Sequence, residues 1–350
     1  MILLENQLLS RFYKFIESDK HNQSQEVNNL LNDPEIQFEE ITSCPICQHQ
    51  HFSLLSEKTV EKINIRTVIC KNCSQIFAYD QMTSHSMSYF YKKYYRSIIC
   101  PAKKNSKRLH LKFKQKGNYR IPNYVPKKGL ICEIGCGAGW HLYPFKKVRR
   151  DYIGFDFDED LIQFGRNNYD LNIHIGDINE IKKRQLTPSY IFMNHVLEHT
   201  KYPLDILKDI FTLLCENGVL NISVPSRQYL IWGGGGTGYR FFDTLTIVHP
   251  FIFDEYTLSN CLKLAGFTIL HNQGGNILAK KISSQKRPLT FISNTYLNVI
   301  DHLKFVEKIT LSPVYAIYKK LPAFLSHNMY YLYFFTNPYR LLKKIFLIYF

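Results

Sequence analysis

The sequence predicts an α/β protein whose core is a doubly wound, mostly parallel sheet. From residue 129 to residue 282, short apolar segments of strand length alternate with segments of helical periodicity. A glycine-rich loop directly follows the first apolar segment, and four cysteines in two pairs precede the whole region. These observations together predict one large sheet domain with a small cysteine-bearing module in front of it.

Seven segments of the large domain are predicted to be strands. The five parallel strands are expected at 130–134, 152–155, 172–175, 190–193 and 219–224. The two remaining strands are expected to form a closing hairpin around Gly274 and Gly275, at 267–271 and 277–281.

The whole chain is predicted to contain five segments. They are a helical leader at 1–40, a four-cysteine module at 41–80, a basic and tyrosine-rich connecting segment at 81–128, the large α/β domain at 129–282, and a basic, aromatic, helical extension at 283–350. The leader is assigned to a helix because apolar residues recur at helical spacing between residues 2 and 17.

The charge of the chain indicates an anionic partner. Lysine and arginine number 44 against 29 acidic residues, which gives a formal net charge of +15. Residues 81–128 contain thirteen basic and no acidic residues, and residues 281–350 contain ten basic and two acidic residues. Two basic runs beside a nearly balanced domain favour a phosphorylated sugar or glycan, a nucleic acid or an anionic membrane surface as partner.

The expected location is the reducing cytoplasm. The nine cysteines lack a secretory spacing, and Glu5 occupies a position where a signal peptide would be positively charged. No uncharged apolar run reaches the roughly 18 residues that a membrane-spanning helix requires. Aromatic residues beside Lys and Arg at 329–350 fit peripheral contact with the inner face of a membrane, with packing on the large domain as the alternative.

The cysteine pairs predict a metal site. Cys44 and Cys47 form one C-x-x-C pair, and Cys70 and Cys73 form a second. Each pair can direct two thiolates at one ion, and two pairs complete a tetrahedral four-sulfur site. Such a site has no open coordination position, so we predict a structural zinc that stabilises a module with a small core. The alternative is that a nearby histidine replaces one cysteine ligand: His49, His51 or His85.

The glycine-rich loop predicts a cationic ligand. Glu133 ends the first strand, and glycines at 135, 137 and 139 follow it. Glycines allow the backbone to turn sharply and to approach a ligand closely. The dinucleotide fingerprint G-x-G-x-x-G would require a glycine where Trp140 stands. Glu133 would also repel a pyrophosphate, whereas an ammonium or sulfonium group suits it.

At these residues the chain resembles the class I S-adenosylmethionine-dependent methyltransferases, over roughly 129–282. The resemblance implies a Rossmann-like fold with S-adenosylmethionine as the cofactor. Asp156 and Asp177 match the family acids that meet the ribose and the adenine amino group, and residues 194–199 match its signature after the fourth strand. The residues implied to contact the cofactor are Glu133, Gly135, Gly137, Gly139, Asp156, Phe157, Asp177, Ile178 and Asn194.

The cysteine module narrows this resemblance to one group of class I methyltransferases. Together with the tyrosine-rich stretch at 90–95, it is similar to zinc-ribbon methyltransferases associated with bacterial surface-polysaccharide and sugar biosynthesis. One departure is Ser189-Tyr190, where the family's fourth strand usually begins with Phe-Asp. The implied acceptor is a small molecule or glycan, such as a nucleotide- or lipid-linked sugar. The alternatives are an RNA methyltransferase, whose zinc module would bind RNA, and a non-catalytic cofactor-binding scaffold.

Two histidines are the candidate catalytic residues. His195 follows the fourth strand and His249 follows the fifth, where either can act as general base toward a hydroxyl acceptor or be structural. His195, Glu198 and His199 also match the H-x-x-E-H pattern of metalloproteases. A further alternative is that these three side chains bind a divalent ion, an arrangement that resembles some O-methyltransferases of quinone biosynthesis. The insertion at 226–250 has the length of a substrate-binding loop. Its candidate contact residues are Tyr239, Arg240 and Asp243.

Overall fold

The computed structural model of the chain describes residues 25–98, 106–117, 119–225, 244–282 and 296–310. Three expectations lie outside these residues: the leader helix at 2–17, the insertion residues Tyr239, Arg240 and Asp243, and the membrane contact at 329–350. Within the described ranges, no helix has both the length and the apolar character to cross a membrane.

The described chain contains thirteen strands and ten α-helices. The strands are β1 (Phe38–Glu40), β2 (Phe52–Lys58), β3 (Asn64–Cys70), β4 (Ile76–Ala78), β5 (Asp80–Met82), β6 (Ile131–Ile134), β7 (Tyr152–Asp156), β8 (Ile173–Ile175), β9 (Tyr190–Asn194), β10 (Val219–Ser223), β11 (Phe251–Ile252), β12 (Thr268–Gln273) and β13 (Asn276–Lys280). The helices are α1 (Gln25–Leu31), α2 (Ser84–Lys93), α3 (Tyr95–Ile98), α4 (Ser106–Lys116), α5 (Tyr143–Lys147), α6 (Glu159–Tyr169), α7 (Ile178–Lys183), α8 (Pro203–Leu213), α9 (Glu255–Leu264) and α10 (Tyr296–Thr310).

The large sheet has the order β12-β13-β10-β9-β6-β7-β8. Strands β6 to β10 are parallel to their neighbours, and the hairpin β12–β13 closes the sheet through an antiparallel pairing of β13 with β10. All seven predicted strands are confirmed, and their core positions are apolar because helices cover both faces of a parallel sheet. The result is a Rossmann-like, mostly parallel α/β fold.

The strand order reverses at β6, which lies between β7 and β9. In open parallel sheets, ligands bind at such a reversal, outside the carboxyl ends of the strands. The residues at this edge are Ile134, Asp156, Ile175, Asn194 and Ser223, which end β6, β7, β8, β9 and β10. The predicted glycine loop and the acid that ends β7 therefore lie at the topological switch point.

A second sheet joins the cysteine module to the large domain. Its order is β11-β4-β3-β2, and β11 belongs to the chain after β10. Phe251 pairs with Phe77 of β4, and the side chain of Gln75 donates to the carbonyl of Ile252 at 2.9 Å. The core is continuous from Cys70 and Phe77 through Phe251 to Leu258 of α9. The module therefore docks on the large domain through shared strands and a shared core.

The basic connecting segment forms helices that pack on the large domain. In α4, Phe113 is buried and stacks on Tyr169, which ends α6, with ring centroids 3.6 Å apart. Lys112 places its ammonium 4.0 Å from the ring centre of Trp140. The basic helix α4 therefore lies beside the glycine loop, where its charge can act on a bound anion.

Candidate functional site

The glycine loop is folded tightly against the turn that follows β9. Gly135 and Gly137 have φ angles of +72° and +54°, a region that side chains with a Cβ rarely occupy. A Cβ on Gly135 would lie 2.3 Å from Cγ2 of Val196, and one on Gly137 would lie 3.1 Å from the Trp140 ring. Both positions therefore require glycine, and the loop brings the ends of β6 and β9 together.

Asp156 fixes the loop from the neighbouring strand. The backbone N–H of Gly137 donates to Oδ2 of Asp156 at 2.7 Å, and that of Asp158 donates to Oδ1 at 2.8 Å. A carboxylate has about four acceptor positions, so one carboxylate can hold the loop and also accept from ligand hydroxyl groups. The next residue, Phe157, is 64% exposed and offers an apolar ring beside this carboxylate.

Glu133 is a buried acid at the end of β6. Its side chain is 1% exposed, and Oε1 lies 3.0 Å from Nδ1 of His141. Oε2 has no hydrogen-bond partner among the described residues. Burial raises the pKa of Glu133, and the hydrogen bond with His141 opposes that shift. A buried carboxylate with an unused oxygen suits a cationic ligand, because an unpaired buried charge is costly.

The other predicted cofactor residues occupy different environments. Asp177 caps α7, since its Oδ1 accepts from the backbone N–H of Asn179 at 2.9 Å. Ile178 is 6% exposed and packs in the core, whereas Asn194 is half-buried at the end of β9. The Ser189 hydroxyl donates to the carbonyl of Lys128 at 2.9 Å, which anchors the start of β9 at the departure from the family pattern.

The two candidate catalytic histidines differ in exposure. His195 follows β9 directly, with a φ of +55° and a side chain that is 61% exposed. Its Nδ1 lies 3.4 Å from Oε1 of Glu198, and this carboxylate raises the pKa of His195. Burial lowers the pKa of His249 to about 4. His195 is therefore the histidine suited to accept a proton near neutral pH.

The four cysteines converge at one point. The sulfurs of Cys44 and Cys73 lie 3.5 Å apart, those of Cys47 and Cys70 lie 3.6 Å apart, and all four lie within 4.8 Å of one another. Four ligands at 2.3 Å from a tetrahedral ion would stand about 3.8 Å apart. The arrangement therefore fits a four-thiolate metal site.

Sequence reasoning did not identify three contacts at this edge. His141 pairs with Glu133, Lys112 lies over Trp140, and His249 approaches His199 with ring centroids 4.8 Å apart. His141 follows Glu133 by eight positions in the same loop, and this spacing could have indicated the pair. The other two contacts join segments that are distant in sequence, and no local pattern signals them.

The comparisons with known proteins agree with this geometry. Residues 106–272 match the family model described as "Methyltransferase domain". A curated protein of Mycolicibacterium smegmatis, named "Probable S-adenosylmethionine-dependent methyltransferase", is 28% identical over 98 residues, which are 28% of this chain and 38% of that protein. The chain thus spans well under half of that relative. Residues 106–272 are therefore similar in sequence to a methyltransferase domain.

Solved methyltransferase structures were also found. A structure described as an S-adenosylmethionine-dependent methyltransferase of Mesorhizobium loti is 16% identical and covers 51% of this chain and 98% of its own, with a TM-score of 0.36. A SAM-dependent methyltransferase of Methanosarcina mazei is 15% identical and covers 46% and 95%, with a TM-score of 0.37. The fold assignment itself rests on the strand order and on the family match.

Proposed function

We propose that the protein transfers a methyl group from S-adenosylmethionine to a hydroxyl group of an anionic sugar, nucleotide- or lipid-linked, in surface-polysaccharide biosynthesis. One observation carries the methyl-donor part of the proposal. At the topological switch point, the glycine loop is held by Asp156 beside the buried Glu133, whose Oε2 has no hydrogen-bond partner among the described residues. This edge of the sheet suits a ligand that has a positive charge and ribose hydroxyl groups.

The residues at this edge fit that donor. Oε2 of Glu133 can accept from an ammonium group, Asp156 can accept from hydroxyl groups, and the exposed Phe157 ring can pack on a base. When bound, S-adenosylmethionine supplies a methyl group that its sulfonium charge activates. The contribution of the chain is then to align the two reactants, which can provide about 7–11 kcal/mol.

His195 is the residue we assign as general base. It lies at the carboxyl end of β9, and Val196 beside it packs on Gly135 of the loop. Its Nδ1 lies 3.4 Å from Oε1 of Glu198, and its Nε2 is the ring nitrogen that would take a proton from an acceptor hydroxyl. His195 would take the proton of the acceptor hydroxyl as that oxygen is methylated, and the donor would supply the methyl group and be left as a neutral thioether.

The basic helix α4 supports an anionic acceptor. Its described sequence contains five Lys or Arg residues and no acid. One of them, Lys112, lies over Trp140, whose ring is next to Gly137. Phosphate groups of a nucleotide or lipid carrier would be attracted to this helix at a surface close to the loop.

We further propose that the four cysteines bind one structural zinc ion. The sulfur separations given above support this assignment, and a closed four-thiolate site leaves no position for a substrate. The sheet that β11 completes carries the cysteine pairs at one end and reaches the segment containing His249 at the other. Zinc would therefore stabilise the region next to the active edge.

The experiment that tests the function is a methyl-transfer assay with labelled S-adenosylmethionine. The zinc-loaded full chain is incubated with sugar nucleotides, lipid-linked sugar phosphates and RNA, and the label is followed into each acceptor. We expect label on a sugar hydroxyl. Label on RNA alone would contradict the acceptor class, and absence of transfer to every acceptor despite cofactor binding would favour a non-catalytic scaffold.

Replacing His195 with glutamine should lower kcat by roughly 10²- to 10⁴-fold, because the proton acceptor is lost. The affinity for S-adenosylmethionine should stay within about threefold of wild type, since no described cofactor residue changes. Glu198 raises the pKa of His195 above its ordinary value of 6.5. The base is active when neutral, so kcat of the wild type should rise with pH through that elevated pKa, and the variant should lose this rise.

The control for this prediction is His271→Gln, an exposed histidine on β12. It should leave both kcat and the pH profile unchanged. A His195→Gln variant with wild-type kcat and the same pH profile would show that His195 is not the base.

A further inference from the structure

A buried carboxylate lies beneath the turn after β9 without a hydrogen-bond partner. Glu198 is 2% exposed, and neither of its oxygens forms a hydrogen bond with any described residue. The closest ring nitrogens are Nδ1 of His195 at 3.4 Å and Nε2 of His199 at 4.0 Å, both measured to Oε1. An ionised carboxylate is costly to bury unless charge and hydrogen bonds compensate it, so this position favours a bound cation.

Two histidines next to this carboxylate are oriented by backbone carbonyls. Nδ1 of His199 lies 2.8 Å from the carbonyl of Val248, and Nδ1 of His249 lies 3.2 Å from that of Thr244. A carbonyl only accepts, so each Nδ1 carries the proton and each neutral ring keeps its lone pair on Nε2. Metal-binding histidines characteristically use their second nitrogen in this way.

From this geometry we propose that Glu198, His199 and His249 bind one divalent transition-metal ion, separate from the ion of the cysteine module. One ligand atom from each of the three side chains lies within 4.8 Å of the other two. Two imidazoles and one carboxylate form a ligand set that suits zinc and leaves a coordination position open. Ligands about 2.1 Å from a tetrahedral ion stand about 3.4 Å apart, so binding draws the side chains together.

The surroundings of the site agree with this assignment. The Tyr91 ring meets His199 edge-on with centroids 6.4 Å apart, and the Tyr91 hydroxyl is buried without a hydrogen-bond partner in the described residues. The Tyr91 hydroxyl can therefore donate to a water or to an acceptor oxygen beside the ion.

The location gives the ion a role that rests on the proposed function. Val196, which packs on Gly135, is two residues before Glu198, so the site adjoins the cofactor loop. The open coordination position can hold the acceptor oxygen, and a divalent ion lowers the pKa of an oxygen ligand. The H-x-x-E-H pattern suggested His195 as the third ligand beside Glu198 and His199. In the structure, the histidine that converges with these two residues is His249.

The test is calorimetric titration of Zn²⁺ into the full chain already loaded with one zinc ion at the cysteines. The wild type should bind one additional ion. Glu198→Gln, which preserves shape and removes the charge, and His249→Ala should each weaken this binding at least tenfold. The control His271→Ala should bind as the wild type does, and thermal unfolding confirms that each variant is folded.

Two results would overturn the inference. One is that the folded wild type binds no additional ion, and the other is that Glu198→Gln and His249→Ala bind the additional ion as tightly as the wild type does. This experiment requires neither methyl donor nor acceptor. If the second ion binds but no acceptor is methylated, the proposed function fails and the metal site stands. If methylation occurs and no second ion binds, the function stands and the metal site is wrong.

Discussion

Replacing Gly137 with valine is expected to weaken the binding of S-adenosylmethionine at least tenfold. The residue has a φ of +54°, and a Cβ there would lie 3.1 Å from the Trp140 ring. A β-branched residue in this region costs about 1–3 kcal/mol of backbone strain, and a factor of ten corresponds to about 1.4 kcal/mol. The loop would move away from Asp156, whose carboxylate accepts from the backbone N–H of Gly137 in the wild type. Calorimetry with S-adenosylmethionine measures the loss.

A matched control separates the local effect from general strain. Asn217 also has a positive φ, +63°, but it is exposed and lies in the turn before β10, at the opposite edge of the sheet. Asn217→Val should destabilise the fold by a similar amount and leave the affinity unchanged. Asp156→Ala should weaken binding as Gly137→Val does. Unchanged affinity for S-adenosylmethionine in both Gly137→Val and Asp156→Ala would mean that the cofactor binds elsewhere.

Removing the zinc ion from the cysteine module is expected to have the largest effect on stability. Zinc bound by four thiolates contributes folding free energy directly, on the order of 10 kcal/mol in small isolated zinc modules. We therefore expect about one zinc per chain at the cysteines and its loss in Cys70→Ser. The midpoint of thermal unfolding should fall by roughly 10 °C or more in the variant or in chelator. Metal analysis and circular dichroism measure the two quantities.

Cys215→Ser is the matched control, because Cys215 is half-buried and is not one of the four converging cysteines. It should retain the zinc ion and the unfolding midpoint. Because β11 pairs with β4, loss of zinc should also reduce methyl transfer by disturbing the segment that contains His249. Full stability of Cys70→Ser in chelator, or a wild type without zinc, would contradict the assignment.

The large domain was predictable because its signals are local. The strands β6 to β10 are short, mostly apolar runs, and each was predicted within about two residues of its observed bounds. The glycines at 135 and 137 were predictable because a sharp turn next to a packed strand leaves no space for a Cβ. The two cysteine pairs were also identified from local spacing, whereas Asp156 was identified through the resemblance to class I methyltransferases.

Contacts between distant segments were not predictable in this way. Strand β11 has only two residues, and its pairing partner Phe77 is far away in sequence, so no periodicity identifies it. The position of His249 beside His199 follows from that pairing, since His249 lies two residues before β11. The sequence showed which residues carry chemistry, and the tertiary fold determined which of them meet.

The central claim is that the edge formed by Glu133, the glycine loop and Asp156 binds S-adenosylmethionine. The most direct measurement is calorimetric titration of S-adenosylmethionine into the zinc-loaded full chain, with S-adenosylhomocysteine as competitor. We expect about one molecule of S-adenosylmethionine to bind per chain. S-adenosylhomocysteine should displace it, and Gly137→Val should weaken its binding at least tenfold. A folded, zinc-loaded chain that binds neither compound at millimolar concentration would contradict it.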